Sequence, residues 1–377
     1  MQAYFDNSAT TKPAPEAVDA AYKALSECWG NPSSLHRAGN QAAAVIEGSR
    51  EAVAKVLGCE SKEIFFTSGG TEANNLALTG AAEKMKRCGK RIVSTVAEHP
   101  SVYDTLTYLE TKGFEIVRLG IDSEGKINPD KLFEAITPDT ILVSVMSVNN
   151  EVGSIMPVEK IKKAVARAKS NALIHCDAVQ AFGKIPLRPG ALGIDLMSIS
   201  SHKIHGPKGA GALYVSKKVK ISPLFHGGEQ EMKVRPGTEA VPAIAGFGAA
   251  AKLLTDINTE AEKVRVIRDR IVSSLNEAGG VVFNSPGDAL PYILNISVPG
   301  IKSEPLMNYL SANGICVSSG SACSKGKRSR VLTEMNLPFE RLESPVRISL
   351  SRFNTAEEAD YLTDMIKKAQ SEIRKTV

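Results

Sequence analysis

Between residues 63 and 216 the chain repeats one unit: a short run rich in β-branched and aromatic residues, a turn, then a longer segment with apolar residues at helical spacing. The runs are EIFFTS, RIVSTV, EIVRLGI, TILVSVMSV, ALIHCDAV, DLMSIS and GALYVS, with helical segments such as 72–87 and 158–170 among them. Strands separated by helix-length connections can pair in parallel, and the helices then have to cover the sheet. The order predicts an α/β fold with a mainly parallel central sheet and helices on both faces.

The flanks have other patterns. From about Ala14 to Gly58, apolar residues at helical spacing surround the break GNPSSLHRAG, giving helix, loop, helix. Near Ala240 the pattern becomes a long charged helix over 243–278, followed by VVFNSP, YILNISVPG, GICVSSGS and VRISLS with an intervening helix. This predicts a smaller α+β C-terminal domain, with the first residues of the chain packed on it. The expected division is 15–255 for the large domain, and 1–14 with 256–377 for the small one. A length of 377 residues accommodates two such units.

Composition narrows the function classes. Apolar residues make up 43% and charged residues 23%, values of an ordinary soluble globular protein. The net charge of +5 is spread along the chain apart from Lys325, Lys327, Arg328 and Arg330, which disfavours direct nucleic-acid binding. No apolar stretch approaches the roughly 20 residues needed to cross a bilayer. Six scattered cysteines without a CxxC pair, behind an N-terminus MQAYFDNSATT that resembles no signal peptide, predict reduced thiols in the cytoplasm.

In parallel sheets, ligand and catalytic groups gather at the carboxyl ends of the strands. After EIFF comes Thr67-Ser68-Gly69-Gly70-Thr71-Glu72, which opens a helix whose free N–H groups suit a phosphate, with the Thr71 hydroxyl as an added donor. A plain glycine turn capped by threonine would carry the same residues. After RIVSTV comes Glu98-His99-Pro100, where His99 could stack on a ring or relay a proton, or be a satisfied structural histidine. After ILVSVMSV comes Asn149-Asn150-Glu151, and after ALIHC come Asp177 and Gln180. A buried carboxylate such as Asp177 is what a pyridinium nitrogen requires, although it could equally cap a loop. After DLMSIS comes Ser201-His202-Lys203-Ile204-His205-Gly206-Pro207-Lys208-Gly209. Lys203, among small, polar and cationic groups, can lose its proton readily and form an imine. His202 and His205 lack a third ligand for zinc, and Gly209-Ala210-Gly211 precedes a strand where a dinucleotide fingerprint precedes a helix.

The last cluster is Ser318-Ser319-Gly320-Ser321-Ala322-Cys323-Ser324-Lys325-Gly326-Lys327-Arg328. A thiol in such a small-residue, basic stretch is exposed and beside cations, which favours the reactive thiolate. The other five cysteines lie in apolar or helical contexts, where a buried small hydrophobe is the ordinary role.

The motifs FFTSGGTEANN, AEHPSV, VNNEVG, HCDAVQAFGK, SSHKIHGPKGAGALY, RPGTEAV and SSGSAC, in that order and with family-like spacing, resemble the NifS/IscS-type cysteine desulfurases over nearly the whole chain. The resemblance implies the aspartate-aminotransferase fold (fold type I of the PLP-dependent transferases) and the cofactor pyridoxal 5'-phosphate. By it, Lys203 matches the Schiff-base lysine, and Gly70, Thr71, Ser200 and His202 match positions that hold the cofactor phosphate. Thr238 matches a phosphate ligand given by the other subunit, implying a homodimer with shared sites. His99 matches the residue that stacks on the pyridine ring and moves protons, and Asp177 the partner of the ring nitrogen. Asn149 and Gln180 match contacts to cofactor or substrate near the ring hydroxyl. Arg352, in SLSRF, matches the arginine that grips the substrate carboxylate, a bidentate task suited to guanidinium. The implied activity takes sulfur from L-cysteine, leaving alanine and a persulfide on Cys323, for delivery to an acceptor protein. Cys323 is also a candidate transient ligand to a cluster iron.

Two departures bear on delivery. Housekeeping relatives carry a longer run resembling TSASLEP after the cysteine, whereas this chain has SKGKRSR, and it ends soon after Met365-Ile366-Lys367 without a scaffold-docking extension. The acceptor expected from the family is an iron–sulfur scaffold or a tRNA-thiolation enzyme, here a dedicated partner with an acidic docking face. The rival activities on the same fold are selenocysteine lyase, cysteine sulfinate desulfinase and, further off, aminotransfer. A non-catalytic scaffold would need none of Lys203, Asp177, His99 and Cys323.

Overall fold

The computed structural model describes residues 1–320 and 328–374. In chain order its elements are β1 (Ala3–Tyr4), α1 (Pro15–Glu27), α2 (Arg37–Leu57), β2 (Ile64–Thr67), α3 (Gly70–Met85), β3 (Arg91–Thr95), α4 (Pro100–Thr111), β4 (Glu115–Leu119), α5 (Pro129–Ala135), β5 (Thr140–Ser144), α6 (Ile161–Arg167), β6 (Leu173–Asp177), α7 (Pro189–Leu192), β7 (Leu196–Ser200) and β8 (Gly211–Val215). They continue with α8 (Val241–Lys252), α9 (Ile257–Ala278), β9 (Val282–Phe283), β10 (Ile293–Ser297), α10 (Ser303–Ala312), β11 (Ile315–Cys316), α11 (Arg330–Glu334), α12 (Phe339–Glu343), β12 (Pro345–Ser349) and α13 (Ala356–Glu372).

The seven expected strands form one sheet in the order β2-β8-β7-β6-β5-β3-β4. Neighbours from β4 to β7 pair in parallel, and only the two ladders made by β8 are antiparallel. Because side chains alternate across a strand, the sheet divides the apolar core between its two faces. Ile92, Leu142, Leu196 and Leu213 pack with Leu76, Leu78 and Leu106 of α3 and α4 on one face. Val93, Val143, Met197 and Tyr214 pack with Ile46 and Val53 of α2 and Phe247 of α8 on the other. Both faces are covered, so the inner strands are buried along their whole length and read as continuous apolar runs.

A second sheet, β12-β10-β9, is antiparallel, and β1 runs parallel to β11. The first residues of the chain therefore pack on its C-terminal part: Phe5 is fully buried, and the Ser349 amide donates to the Phe5 carbonyl at 2.7 Å. The single helix expected over 243–278 is two helices. α8 is built of small apolar residues and packs on α1 and α2, whereas α9 is charged on one side and packs on α13. Asp256 breaks them apart by capping α9, its carboxylate accepting from the Thr259 amide at 3.0 Å and the Thr259 hydroxyl at 2.6 Å. Among the described residues no helix is long and apolar enough to cross a membrane.

One irregular turn is held electrostatically. Glu231, Met232 and Lys233 all have left-handed backbone, with φ of 46°, 52° and 67°. Non-glycine residues adopt that conformation at a cost of about 1–2 kcal/mol each. Glu231 is buried and takes both Nη atoms of Arg50, at 2.8 and 2.7 Å, together with the Phe66 amide at 2.8 Å. A bidentate pair with an added backbone donor is the arrangement in which a buried ion pair is well compensated. Glu231→Ala, which leaves Arg50 buried without its partner, is expected to lower the unfolding free energy by about 3 kcal/mol or more in a denaturant titration, with Glu231→Gln costing less.

Candidate active site

The parallel strands bring their carboxyl ends to one edge of the sheet, and a cavity of about 280 Å³ lies there. Gly70 and Thr71 from the start of α3, His99 after β3, Asp177 and Gln180 after β6, and Ser200, His202 and Lys203 after β7 all line it. Further wall comes from the N-terminal segment, through Ser8 and Ala9, from the turn after β5, through Asn150, and from Arg347 of β12.

Lys203 points at the N-terminal segment. Its Nζ donates to the carbonyls of Ser8 at 2.5 Å and Ala9 at 2.7 Å. The Ser8 carbonyl also accepts from Gln180 Nε2 at 2.9 Å, and Gln180 Oε1 takes the buried Lys184 ammonium at 3.0 Å. Burial pushes Lys184 down to about 7, with the Lys203 and Arg347 charges adding to the effect.

Asp177 ends β6 with its side chain on the cavity. One oxygen accepts from Asn74 Nδ2 at 2.8 Å and the other from the Val179 amide at 3.0 Å. Asn74 also donates to Ser101 Oγ at 2.9 Å, and that hydroxyl lies 2.8 Å from His99 Nδ1. A chain of hydrogen bonds thus joins Asp177 to His99. The Ser101 amide points at Nδ1 from 3.1 Å, which assigns the ring proton of neutral His99 to Nε2. Burial holds the His99 pKa below its usual value, helped by the Lys203 and Arg330 charges and opposed by Asp177 and Asp104. His202 is pushed down to about 4, by burial first and then by Lys203, Lys208 and Lys184. Both imidazoles are neutral near pH 7 by these directions.

The phosphate-like end is shaped by two close backbone approaches. A Cβ on Gly70 would lie 2.7 Å from a methyl of Val179, and one on Gly211 would lie 2.7 Å from the Gly69 backbone. Ser8 Oγ, Asn74 Oδ1 and Ser200 Oγ, all on residues that line the cavity, are buried without a hydrogen-bond partner among the described residues. Such unsatisfied polar atoms are costly unless a polar ligand completes them. A cavity with unpartnered hydroxyls beside a helix N-terminus, a carboxylate at one strand end and a lysine at another fits pyridoxal phosphate in both charge and donor set.

Two expected residues lie elsewhere, and Thr238 is expected at the other subunit's site rather than this one. Asn149 is fully buried behind the cavity, its side chain accepting from the amides of Glu151 and Val152 and donating to the Ala97 carbonyl; Asn150 lines the cavity in its place. Arg352 lies outside this cavity, in a separate space of about 30 Å³ behind Lys203, with its Nη1 3.4 Å from the Leu253 carbonyl. The guanidinium in the main wall is that of Arg347, anchored by Asp6 Oδ1 and the Asn150 carbonyl, both at 2.9 Å. The physical reason is register: β12 ends at Ser349, so Arg347 is held in the sheet while Arg352 lies beyond it. Thr238 is exposed and does not line the cavity. Cys323, with Lys325 and Lys327, lies outside the described residues.

Asn74, Ser101 and Arg347 are site residues that the motifs left unremarked. Asn74 is four residues after Gly70, one helical turn along the same face, and Arg347 is a cation inside an otherwise apolar strand; both patterns carry information.

The sequence model of class-V aminotransferases matches residues 3–362. The chain belongs to the class-V aminotransferase family. Enzymes of this family depend on pyridoxal phosphate. Among its relatives are proteins named cysteine desulfurase IscS in Dictyoglomus turgidum, 40% identical over 99% of this chain and 95% of that one, and in Methanosarcina thermophila, 41% identical over 98% and 92%. A solved structure described as a NifS-like protein superposes with a TM-score of 0.94 at 39% identity, covering 99% of this chain and all of the other.

Glu98, just before His99, is a buried carboxyl that ties two strand ends together. Its Oε1 accepts from Thr95 Oγ1 at 2.8 Å and from the Met146 amide at 2.9 Å. Burial pushes this carboxyl up to about 8, against the pull of those two hydrogen bonds. A glutamate in an unfolded chain titrates near 4.3. Between these values the folded enzyme holds one more proton than the unfolded chain, so this group's contribution to stability falls as pH rises. The denaturation midpoint of the wild type is therefore expected to decline relative to that of Glu98→Gln between about pH 5 and about pH 8; parallel midpoints would contradict a proton on Glu98.

Proposed function

We propose that this enzyme is a cysteine desulfurase, removing sulfur from L-cysteine onto Cys323 and releasing alanine. The observation that carries the reading is the convergence of Lys203, His99 and Asp177 on one cavity at the carboxyl ends of the parallel strands β7, β3 and β6. The names of the full-length relatives support it.

Bound pyridoxal phosphate supplies an electron sink for the charge left at the substrate Cα. In this reading Lys203 would hold the cofactor, and as a free amine it would move the proton at the substrate Cα. Gly70, Thr71, Ser200 and His202 hold the phosphate. Asp177, kept in place by Asn74 and the Val179 amide, would pair with the ring nitrogen, and His99 would pack on the ring with its Nε2 proton available. Gln180, fixed by Lys184 and the Ser8 carbonyl, contacts the ring side.

Arg347 is the better candidate than Arg352 for the substrate carboxylate, because it already forms part of the cavity wall. Cys323 as thiolate attacks the substrate sulfur; the C–S bond breaks, its electrons pass to the substrate carbon skeleton, and a persulfide remains on Cys323. Thr238 serves the other subunit's phosphate in a homodimer, and the two domains divide near residue 255. The acceptor is a sulfur-accepting protein, an iron–sulfur scaffold or a tRNA-thiolation enzyme, docking at the basic run around Arg328.

The purified enzyme, mixed with one equivalent of L-cysteine, is expected to yield alanine and one added sulfur on the Cys323 peptide, and Cys323→Ala neither. Alanine formed at full rate by Cys323→Ala would move the reading to a lyase that releases sulfur directly. Arg347→Lys is expected to raise KM for L-cysteine roughly 10- to 100-fold, the loss of charge-assisted hydrogen bonds, while Arg352→Lys changes it less than about threefold.

A further inference from the structure

Glu151 is a carboxylate with no place in the reaction above, yet it is 6% exposed and follows Asn150, a residue of the cavity wall. Burying a carboxylate is unfavourable unless something compensates it. Its Oε2 accepts from Ser329 Oγ at 2.5 Å. The same oxygen lies 3.0 Å from where a Cβ on Gly320 would sit, and Gly320 has a φ of +132°, where a side chain would be strained. Gly320 precedes Cys323 by three residues and Ser329 follows it by six, so one oxygen bonds the chain on one side of the thiol and leaves no room for a side chain on the other.

Each side has a second fastening. On the N-terminal side, Ser318 and Arg347 pair through their backbones, the Arg347 amide donating to the Ser318 carbonyl at 2.6 Å. On the C-terminal side, Arg330 donates to the carbonyls of Val96 at 2.9 Å and Glu98 at 2.5 Å, and its guanidinium lies 3.7 Å from the centre of the Tyr103 ring. The anchors of the cysteine segment are therefore the arginine of the cavity wall and the strand end that carries His99. Burial raises the Glu151 pKa above the usual carboxylate range, and the Ser329 hydroxyl and the Arg347 and Arg330 charges only partly oppose it.

We propose that Glu151 is a positioning residue for sulfur transfer, a buried post that holds the Ser329 root of the Cys323 segment by a hydrogen bond and against which the Gly320 root is seated. The inference rests on the reading of Cys323 as the sulfur-accepting thiol.

The test uses the full-length, cofactor-loaded enzyme as wild type, Glu151→Ala, Glu151→Gln and Ser329→Ala. Three quantities are read: tryptic cleavage after Lys325, Lys327 or Arg328 relative to cleavage elsewhere, persulfide on Cys323 after a single turnover, and the cofactor absorbance change on adding L-cysteine. Glu151→Ala and Ser329→Ala are expected to be cut about tenfold faster in this segment and to form persulfide about tenfold more slowly, with the absorbance change retained. Glu151→Gln keeps an oxygen for Ser329 and is expected to behave as wild type. Wild-type cleavage and persulfide rates in Glu151→Ala would overturn the proposal, as would equal losses in Glu151→Gln. If Glu151→Ala does not fold, Ser329→Ala decides by the same two rates. A wild type that forms no persulfide on Cys323 refutes the functional reading instead, and the proteolysis comparison still decides whether Glu151 holds the roots.

Discussion

The cavity depends on one constraint, the common direction of β4, β3, β5, β6 and β7. Parallel pairing sends every connection to the far edge and back through a helix, so the residues after each strand collect at one end of the sheet. Glu98, His99, Asp177 and Lys203 are scattered over about a hundred positions of sequence and become neighbours only for this reason. β8 runs the other way, and its first residue, Gly211, arrives at the same edge, where its lack of a side chain lets the Gly69 backbone approach.

The sheet also buries polar groups in and just after its strands, and each is compensated by a neighbour from another element. His175 lies between Ser144 Oγ and Ser198 Oγ, at 2.8 and 3.1 Å, and burial holds its pKa down at about 3. Glu98 spans β3 and the segment after β5, and Asp177 is held by Asn74 of α3. These cross-links fix the strand ends relative to each other more stringently than apolar packing alone, because hydrogen bonds are directional. The N-terminal residues close the arrangement from outside. Asn7 donates to the Ser349 carbonyl at 2.9 Å, and Asp6 pairs with Arg347, so the segment offering the Ser8 and Ala9 carbonyls to Lys203 is itself held by β12.

Much of this was legible in the sequence, and the exceptions have physical causes. The strands were readable because a sheet covered on both faces favours short, mainly apolar runs, and the cavity residues because polar residues follow those runs immediately. The helix expected over 243–278 hid a break, since Asp256 capping Thr259 is a local signal inside a region of unbroken helical periodicity. Asn149 and Asn150 are adjacent, and which of them faces the cavity depends on the turn after β5, which periodicity does not specify. The motif SLSRF points to Arg352, whereas the arginine in the cavity wall is Arg347, which β12 holds in the sheet. The role of Glu151 could not be read at all, because Gly320 and Ser329 meet it only through the packing of the C-terminal segment against the sheet.

The central claim is that the cavity edge of the sheet holds pyridoxal phosphate through Lys203. Borohydride reduction of the loaded enzyme, followed by proteolysis and mass mapping, fixes the cofactor to whichever amine carries it. The account predicts a pyridoxyl group on the peptide containing Lys203 alone, lost in Lys203→Ala. A label on Lys184 or Lys208, or the same label in Lys203→Ala, would contradict it.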